Sequence, residues 1–354
     1  MKNNRLLYLL VFAAFIWLAV LTFLPQEPET ANGDVYITNE VSGFSTDLTK
    51  VAKEKEAALV SVETPAGLSS GLFYSRRGEE SYFLCVFNTR PEGEIVLHFA
   101  NGYSLQASLK GYDPYTGLAL LEAAFPYDIT PITEGDTSLL QKGEFALALG
   151  SPQSLDYSGS AALCLVADPE VSIERELRTE NGTSAYYLDL IALSTRLNSS
   201  FRGGPVFNMG GELIGIDILS LSQEDIAYIL PAEETFLLAE KLMNGEERKL
   251  LGLRGISVAD MPDYQRSAYG IELSLLNGLY IRDVLPGSPA ERLGLHTEDI
   301  LLELNGEKIG QRRDLLPVTY RMQDDLTALV RREGAEVRLN IHLEPLPAEE
   351  PPQE

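Results

Sequence analysis

The chain is poor in the residues that build metal sites and redox centres. Among 354 residues there are two cysteines, three histidines and one tryptophan. Two cysteines cannot supply a disulfide framework. Cys85 and Cys164 both sit in apolar, strand-like runs, which favours two buried thiols over a bridge. No HExxH, no zinc-type spacing and no carboxylate pair occurs, so no metal and no cofactor is expected. Positive charge is scarce as well. The 28 Lys and Arg against 52 Asp and Glu give a formal charge of -24, which argues against nucleic acid or an anionic membrane surface as a partner. No internal repeat is evident. What remains is an ordinary hydrophobic content of 45% and a length that allows two domains, at roughly 150 residues each.

The most continuous apolar run is at the N-terminus. Leu6 to Leu24 reads LLYLLVFAAFIWLAVLTFL, and as a helix it spans about 28 Å, close to the hydrocarbon core of a bilayer. Lys2 and Arg5 precede it, and an acidic, Pro-containing stretch follows. The positive-inside rule then places residues 1–5 in the cytoplasm, 6–24 in the membrane, and the bulk of the chain outside the cytoplasm. A cleaved signal peptide is the competing reading; the length of the core and the lack of a small-x-small site after it favour a single-pass anchor.

Residues 25–50 read as a linker that turns helical near Leu48 to Lys55. From 51 to 231 the pattern is short apolar or alternating runs broken by turn signals, such as EIVLHFANGYSLQASLKG, GEFALALG and GGELIGIDIL. Many short strands without interleaved helices point to an antiparallel barrel or sandwich. Pro231 opens a connecting helix over 232–249, with Phe236, Leu237, Leu238, Leu242 and Met243 mostly on one face and Gly245 as its breaker. Residues 250–345 form a smaller α+β unit, and the acidic, Pro-rich residues 346–354 read as disordered.

One loop carries a specific signal. Residues 198 to 208 read NSSFRGGPVFN and resemble the nucleophile loop of trypsin-like serine proteases of the HtrA (DegP/DegS) type, N-P-G-N-S-G-G-P-L-x-N. Further segments match that family in order. SYFLCVFNTR is similar to the segment bearing the catalytic histidine, and NGYSLQASLKGYDPYTGLALLEA to the one bearing the aspartate. EGDTSLLQKGEFALALGSP, GGELIGIDIL and IAYILP are similar to the segments around and after them. The resemblance implies a mostly β fold, a trypsin-like pair of six-stranded barrels with the site in the cleft between them.

Carried over residue by residue, the triad is missing. The histidine position falls on Asn88, the aspartate position on Gly117 and the serine position on Arg202. A guanidinium stays protonated and cannot act as a nucleophile, and the triad works as a unit. Ser200 stands at the glycine of the oxyanion loop, which puts the shape of that loop in question. His98 is ten residues beyond the histidine position and reads as a strand side chain. His296 and His342 fall in the C-terminal unit.

That unit resembles a PDZ domain. GLYIRDVLPGSPAERLGLHTEDILLELNGEKI follows the family pattern almost throughout. Leu250, Leu251, Gly252 and Leu253 match the loop whose backbone N–H groups hold a peptide's terminal carboxylate, and such domains bind by strand addition. Two departures bear on its shape: Glu298-Asp299 in place of Gly-Asp, and Pro317 inside the helix that flanks the groove.

The resemblance therefore implies a membrane-anchored pseudoprotease that binds C-terminal or unfolded peptides of envelope proteins, as a sensor, scaffold or adaptor in protein quality control. Alternatives are a regulatory subunit joined to an active HtrA protease, or an endopeptidase with a non-standard site. The family commonly trimerises through aromatic residues before the barrel, and Tyr36 and Phe44 are the candidates here for a homotrimer or mixed oligomer.

Overall fold

The computed structural model describes residues 48–151, 159–179, 182–221 and 225–342. The apolar segment 6–24, Tyr36, Phe44 and the tail 346–354 lie outside them. Among the described residues no helix is long and apolar enough to cross a membrane. Residues 48–55 are helical, where the sequence places the end of the linker.

Two closed barrels follow. The first is built from β1 (Leu59–Thr64), β2 (Gly67–Arg77), β3 (Glu80–Val86), β4 (Ile95–Phe99), β5 (Ser104–Tyr112) and β6 (Leu118–Ala123), in the order β1-β2-β3-β6-β5-β4. Its strands alternate as a barrel requires. In β4, Ile95, Leu97 and Phe99 point inward while Val96 and His98 face out. The interior is aromatic: the fully buried Phe83 meets Phe73, Phe99 and Phe125 edge-on at 5.6, 5.8 and 6.1 Å, and Phe99 stacks on Phe125 at 4.2 Å. Closing the sheet leaves no exposed edge, so every strand has two partners.

The second barrel comprises β7 (Phe145–Gly150), β8 (Ser160–Thr179), β9 (Gly182–Leu193), β10 (Pro205–Phe207), β11 (Leu213–Leu221) and β12 (Ile226–Pro231), in the order β10-β11-β12-β9-β8-β7. Small and branched residues fill it, with Ala146, Ala148, Val206, Ile214 and Ile229 at its centre. Cys85 on β3 and Cys164 on β8 are both buried free thiols. Burial pushes Cys85 well up and Cys164 up to about 11, which removes them from thiolate chemistry at neutral pH.

Helix α1 (Ala232–Asn244) starts directly after Pro231, with Glu233 and Glu234 in its first turn, and stops where Gly245 adopts φ 72°. Its buried side is Ala232, Thr235, Leu238, Ala239, Leu242 and Met243. Phe236 and Leu237, expected on the same face, are only half-buried, and Phe236 instead lies against Tyr74 with ring centroids 5.4 Å apart. The helix sits so close to the first barrel that a Cβ at Gly111 would come within 2.8 Å of Leu242.

The C-terminal sheet runs β13 (Leu253–Ser257), β14 (Leu279–Val284), β15 (Ile300–Leu304), β17 (Asp325–Arg332) and β18 (Ala335–His342), with β16 (Glu307–Lys308) paired to β15. Short helices α2 (Asp263–Ala268), α3 (Pro289–Leu293) and α4 (Leu315–Tyr320) complete it. β13 is an edge strand with one open side.

A buried charge cluster joins this unit to the barrels. The Glu234 carboxylate on α1 meets the Arg248 guanidinium and accepts the Tyr320 hydroxyl of α4 at 3.3 Å, while Asp113 of the first barrel lies 3.9 Å from Arg248. Burial opposes the charge on Arg248, and Glu234 together with Tyr320, Asp113 and Asp189 more than offsets it, so the guanidinium keeps its proton. Removing one partner strands the other in a dry site. Glu234→Ala should cost about 3–5 kcal/mol by chemical denaturation, whereas the double variant Glu234→Met/Arg248→Met should cost clearly less.

Candidate functional sites

The three positions expected from the sequence for the triad lie where the two barrels meet. Asn88 lies in the loop after β3, Gly117 in the turn before β6, and Arg202 in the loop before β10. The Arg202 Nη1 donates to Asn88 Oδ1 at 2.9 Å, a hydrogen bond that crosses the cleft between sequence positions 114 apart. Next to it, the Gly117 carbonyl accepts from the Phe87 amide at 2.9 Å. Gly117 has φ 78°, and a Cβ there would stand 2.3 Å from the Phe87 oxygen, so a carboxylate-bearing residue does not fit this backbone.

The loop itself is fastened from below. Ser70 on β2 donates its amide to the Arg202 carbonyl at 2.9 Å and its hydroxyl to the Ser200 carbonyl. The Ser70 hydroxyl in turn accepts from the Ser151 amide at 2.6 Å, and the Ser151 hydroxyl reaches Ser61 at 2.9 Å. Gly203, at φ 77°, packs so tightly that a Cβ would lie 2.3 Å from the Ser70 oxygen. Ser200 is not in the left-handed region. Its amide, one of the two that cradle an oxyanion in a working site of this layout, is spent on Asn198 Oδ1 at 2.9 Å. The question raised by Ser200 is thus answered: the loop keeps a left-handed glycine at Gly203, and the Ser200 amide is taken up by the Asn198 side chain.

Beneath Arg202 lies a residue that the sequence pattern did not single out. Asp217 on β11 is 3% exposed, and its Oδ1 has no hydrogen-bond partner among the described residues. Its backbone closes the loop, accepting from Gly203 at 2.8 Å and donating to Gly204 at 3.0 Å. Burial pushes its carboxyl up to about 7, and the Arg202 charge pulls the other way. The only sequence signal was an acid in GIDIL, an apolar strand where a charge is unexpected. His98, facing out from β4, bonds Glu63 at 2.7 Å and Ser104 at 2.8 Å.

The second site is the open side of β13. Gly252 has φ 80°, and its carbonyl accepts from Leu285 N at 2.8 Å, while that of Leu251 accepts from Ala290 N at 2.9 Å. With both carbonyls turned inward, the amides of Leu250, Leu251 and Gly252 donate to no backbone carbonyl among the described residues. They border a cavity of about 630 Å³ walled by β13, α4 and β9 of the second barrel. Leu251 and Leu253 are 5% and 9% exposed beside it. Pro317 falls in the first turn of α4, where its missing N–H costs nothing. Glu298 takes the left-handed conformation, φ 72°, that the usual glycine adopts, and its neighbour Asp299 is buried against Arg332 at 2.7 Å. The local backbone thus accommodates both departures.

An unpaired buried acid beside a cation sets a pH dependence. Because the folded state raises the carboxyl of Asp217 from its ordinary 3.8 to about 7, its contribution to stability is full below about pH 4 and is lost as pH rises through 7. Asp217→Asn should therefore stabilise the protein by about 2 kcal/mol at pH 8 and by nothing at pH 4, measured by urea denaturation. Arg202→Ser should destabilise at pH 8 by about 1–3 kcal/mol and be near neutral when Asp217 is already Asn.

Comparison with known proteins agrees with this architecture. The chain matches the trypsin-like peptidase domain model over residues 80–216 and the PDZ domain model over residues 246–341. It is 29% identical over 296 residues to the serine protease Do-like HtrA of Bacillus subtilis, covering 80% of this chain and 65% of that protein. It is also 29% identical to a probable periplasmic serine endoprotease, DegP-like, of Marinomonas, covering 80% of this chain and 58% of the relative. The chain thus spans somewhat less than two thirds of these relatives' length. Among solved structures, the HtrA-type protease AlgW with tripeptide superposes with a TM-score of 0.58 at 23% identity, over 85% of this chain and 98% of that one. A serine endoprotease from Yersinia pestis gives 0.51 at 21% identity, over 83% and 96%. With a trypsin-like double barrel followed by a PDZ domain, the chain belongs to the HtrA family.

Proposed function

We propose that this protein is a pseudoprotease whose working site is the groove of its PDZ domain. It captures extracytoplasmic peptides with free C-termini, as a sensor or adaptor in envelope protein quality control, and residues 6–24 tether it to the membrane. The observation that carries this reading is the Arg202–Asn88 hydrogen bond at 2.9 Å. It fills the nucleophile and base positions with a guanidinium and a carboxamide, neither of which can take a proton from a hydroxyl. The relatives are named as serine proteases, so loss of hydrolysis is a property proposed for this chain.

The binding side is supported by three features that act together. The amides of Leu250 to Gly252 are free to receive a carboxylate. The open edge of β13 can pair with an incoming strand. The apolar side chains of Leu251, Leu253 and Leu315, which border the cavity, suit a hydrophobic terminal residue. Gly252 allows nothing larger, since a Cβ there would lie 2.2 Å from Ser288.

Binding and cleavage are measured together on the purified full chain. Peptides with a hydrophobic last residue and a free carboxylate should bind at least about tenfold more tightly than the same peptides amidated, and casein should remain uncut. Casein cleavage that follows the protein through purification and changes with Arg202→Ala would contradict the proposal. Equal affinity for acid and amide would remove the groove from it.

A further inference from the structure

The cavity beside β13 is chemically uneven along its length. At the start of the strand lie the apolar Leu251 and Leu253 and the free amides. At its far end, the Ser257 hydroxyl accepts from the Arg312 amide at 3.1 Å, which fixes Arg312 there. Arg312 is met from the barrel by Glu170 on β8 at 3.2 Å and by Asp189 on β9 at 3.4 Å, and Asp260 borders the same cavity. Arg312 thus pairs with two barrel carboxylates, and with Asp260 and Arg313 on the same cavity three acids stand against two guanidinium groups. Arg312 is only 9% exposed, so it is committed to its place. The Asp189 Oδ1 is buried, and its 3.4 Å ion pair with the Arg312 Nη1 leaves it without a hydrogen bond among the described residues.

We infer that this acidic end selects peptides carrying a lysine or arginine about four residues before an apolar C-terminus. The inference rests on the peptide-binding reading of the groove and specifies its ligand. A carboxylate held at Leu251 and Gly252 forces the peptide to run antiparallel to β13. At about 3.4 Å per residue, the five residues Leu253–Ser257 carry the ligand roughly 14 Å upstream. That places the residue about four before the terminus beside Ser257, within reach of Asp189, Asp260 and Glu170. A long cationic side chain there completes the hydrogen bonding of Asp189 and balances the excess negative charge. Burial raises the Glu170 carboxyl and Arg312 only partly offsets it, so a second cation is favoured there. An acidic ligand residue at that position would be repelled. Two of the three acids belong to the second barrel, so this selectivity is absent from the PDZ sheet by itself.

The test uses the full chain and fluorescent peptides that share a leucine terminus and differ only in the fifth residue from the end: Lys, Ala or Glu. At low salt the Lys peptide should bind about tenfold more tightly than the Glu peptide. The gap should narrow in about 0.5 M salt, where screening acts over only a few ångströms. Glu170→Gln combined with Asp189→Asn should abolish the preference, while an unchanged melting transition reports an intact fold. Equal affinities for the Lys and Glu peptides, with binding still dependent on the free carboxylate, would overturn the inference and leave the groove reading standing. If acid and amide forms bound alike, the groove reading would fall and this inference with it.

Discussion

The cleft between the barrels depends on a single electrostatic requirement. Asp217 is buried under the loop with an oxygen that no hydrogen bond satisfies, so a positive charge must remain above it whenever the carboxyl ionises. Arg202 provides that charge and spans the cleft to Asn88. Arg202, at the position proposed for the nucleophile, is therefore part of the structure. The serine network from Ser70 through Ser151 to Ser61 holds the same loop from the other side. A peptide entering the cleft would meet a guanidinium already bonded to Asn88, a Ser200 amide already bonded to Asn198 and a glycine turn at Gly117 with no room for a carboxylate.

The other half of the molecule shows how a binding groove can be formed by two domains. The PDZ sheet offers an open edge and free amides, but the opposite wall comes from β8 and β9 of the second barrel. Arg248 and Arg312 tie the two together through Glu234, Asp113, Glu170 and Asp189. Buried ion pairs contribute little net stability, yet breaking one is costly, so they fix geometry more than they add energy. The relative placement of β13 and β9, and with it the shape of the cavity, follows from these pairs.

Much of this was legible from local patterns. The run EIVLHF gave a strand carrying His98, and Pro231 and Gly245 mark the ends of α1, although the helix expected over 232–249 stops at Asn244, where Gly245 turns left-handed. The three triad positions were placed by motif matching, and the fold brings Arg202 and Asn88 into contact. What was hidden depended on long-range packing. Phe236 is only half-buried and lies against Tyr74 of the first barrel, a contact that the helical spacing does not reveal. Asp217 lay inside the matched segment GGELIGIDIL without being singled out, and its role appears only when β11 lies under a loop that is distant in sequence. Nor could spacing reveal that Glu170 and Asp189 reach Arg312, since the pairing depends on how the barrel meets the PDZ sheet. Glu298 was seen as a departure from glycine, but that it keeps the left-handed turn at φ 72° is a property of the folded chain.

The central claim is capture without cleavage. It is tested most directly by incubating the full-length protein with a peptide that has an apolar, free C-terminus, then isolating the complex and weighing the peptide by mass spectrometry. The account predicts that the peptide is recovered bound and at its original mass after prolonged incubation. Fragments that accumulate in proportion to the protein, and whose yield changes when Arg202 is replaced, would contradict it.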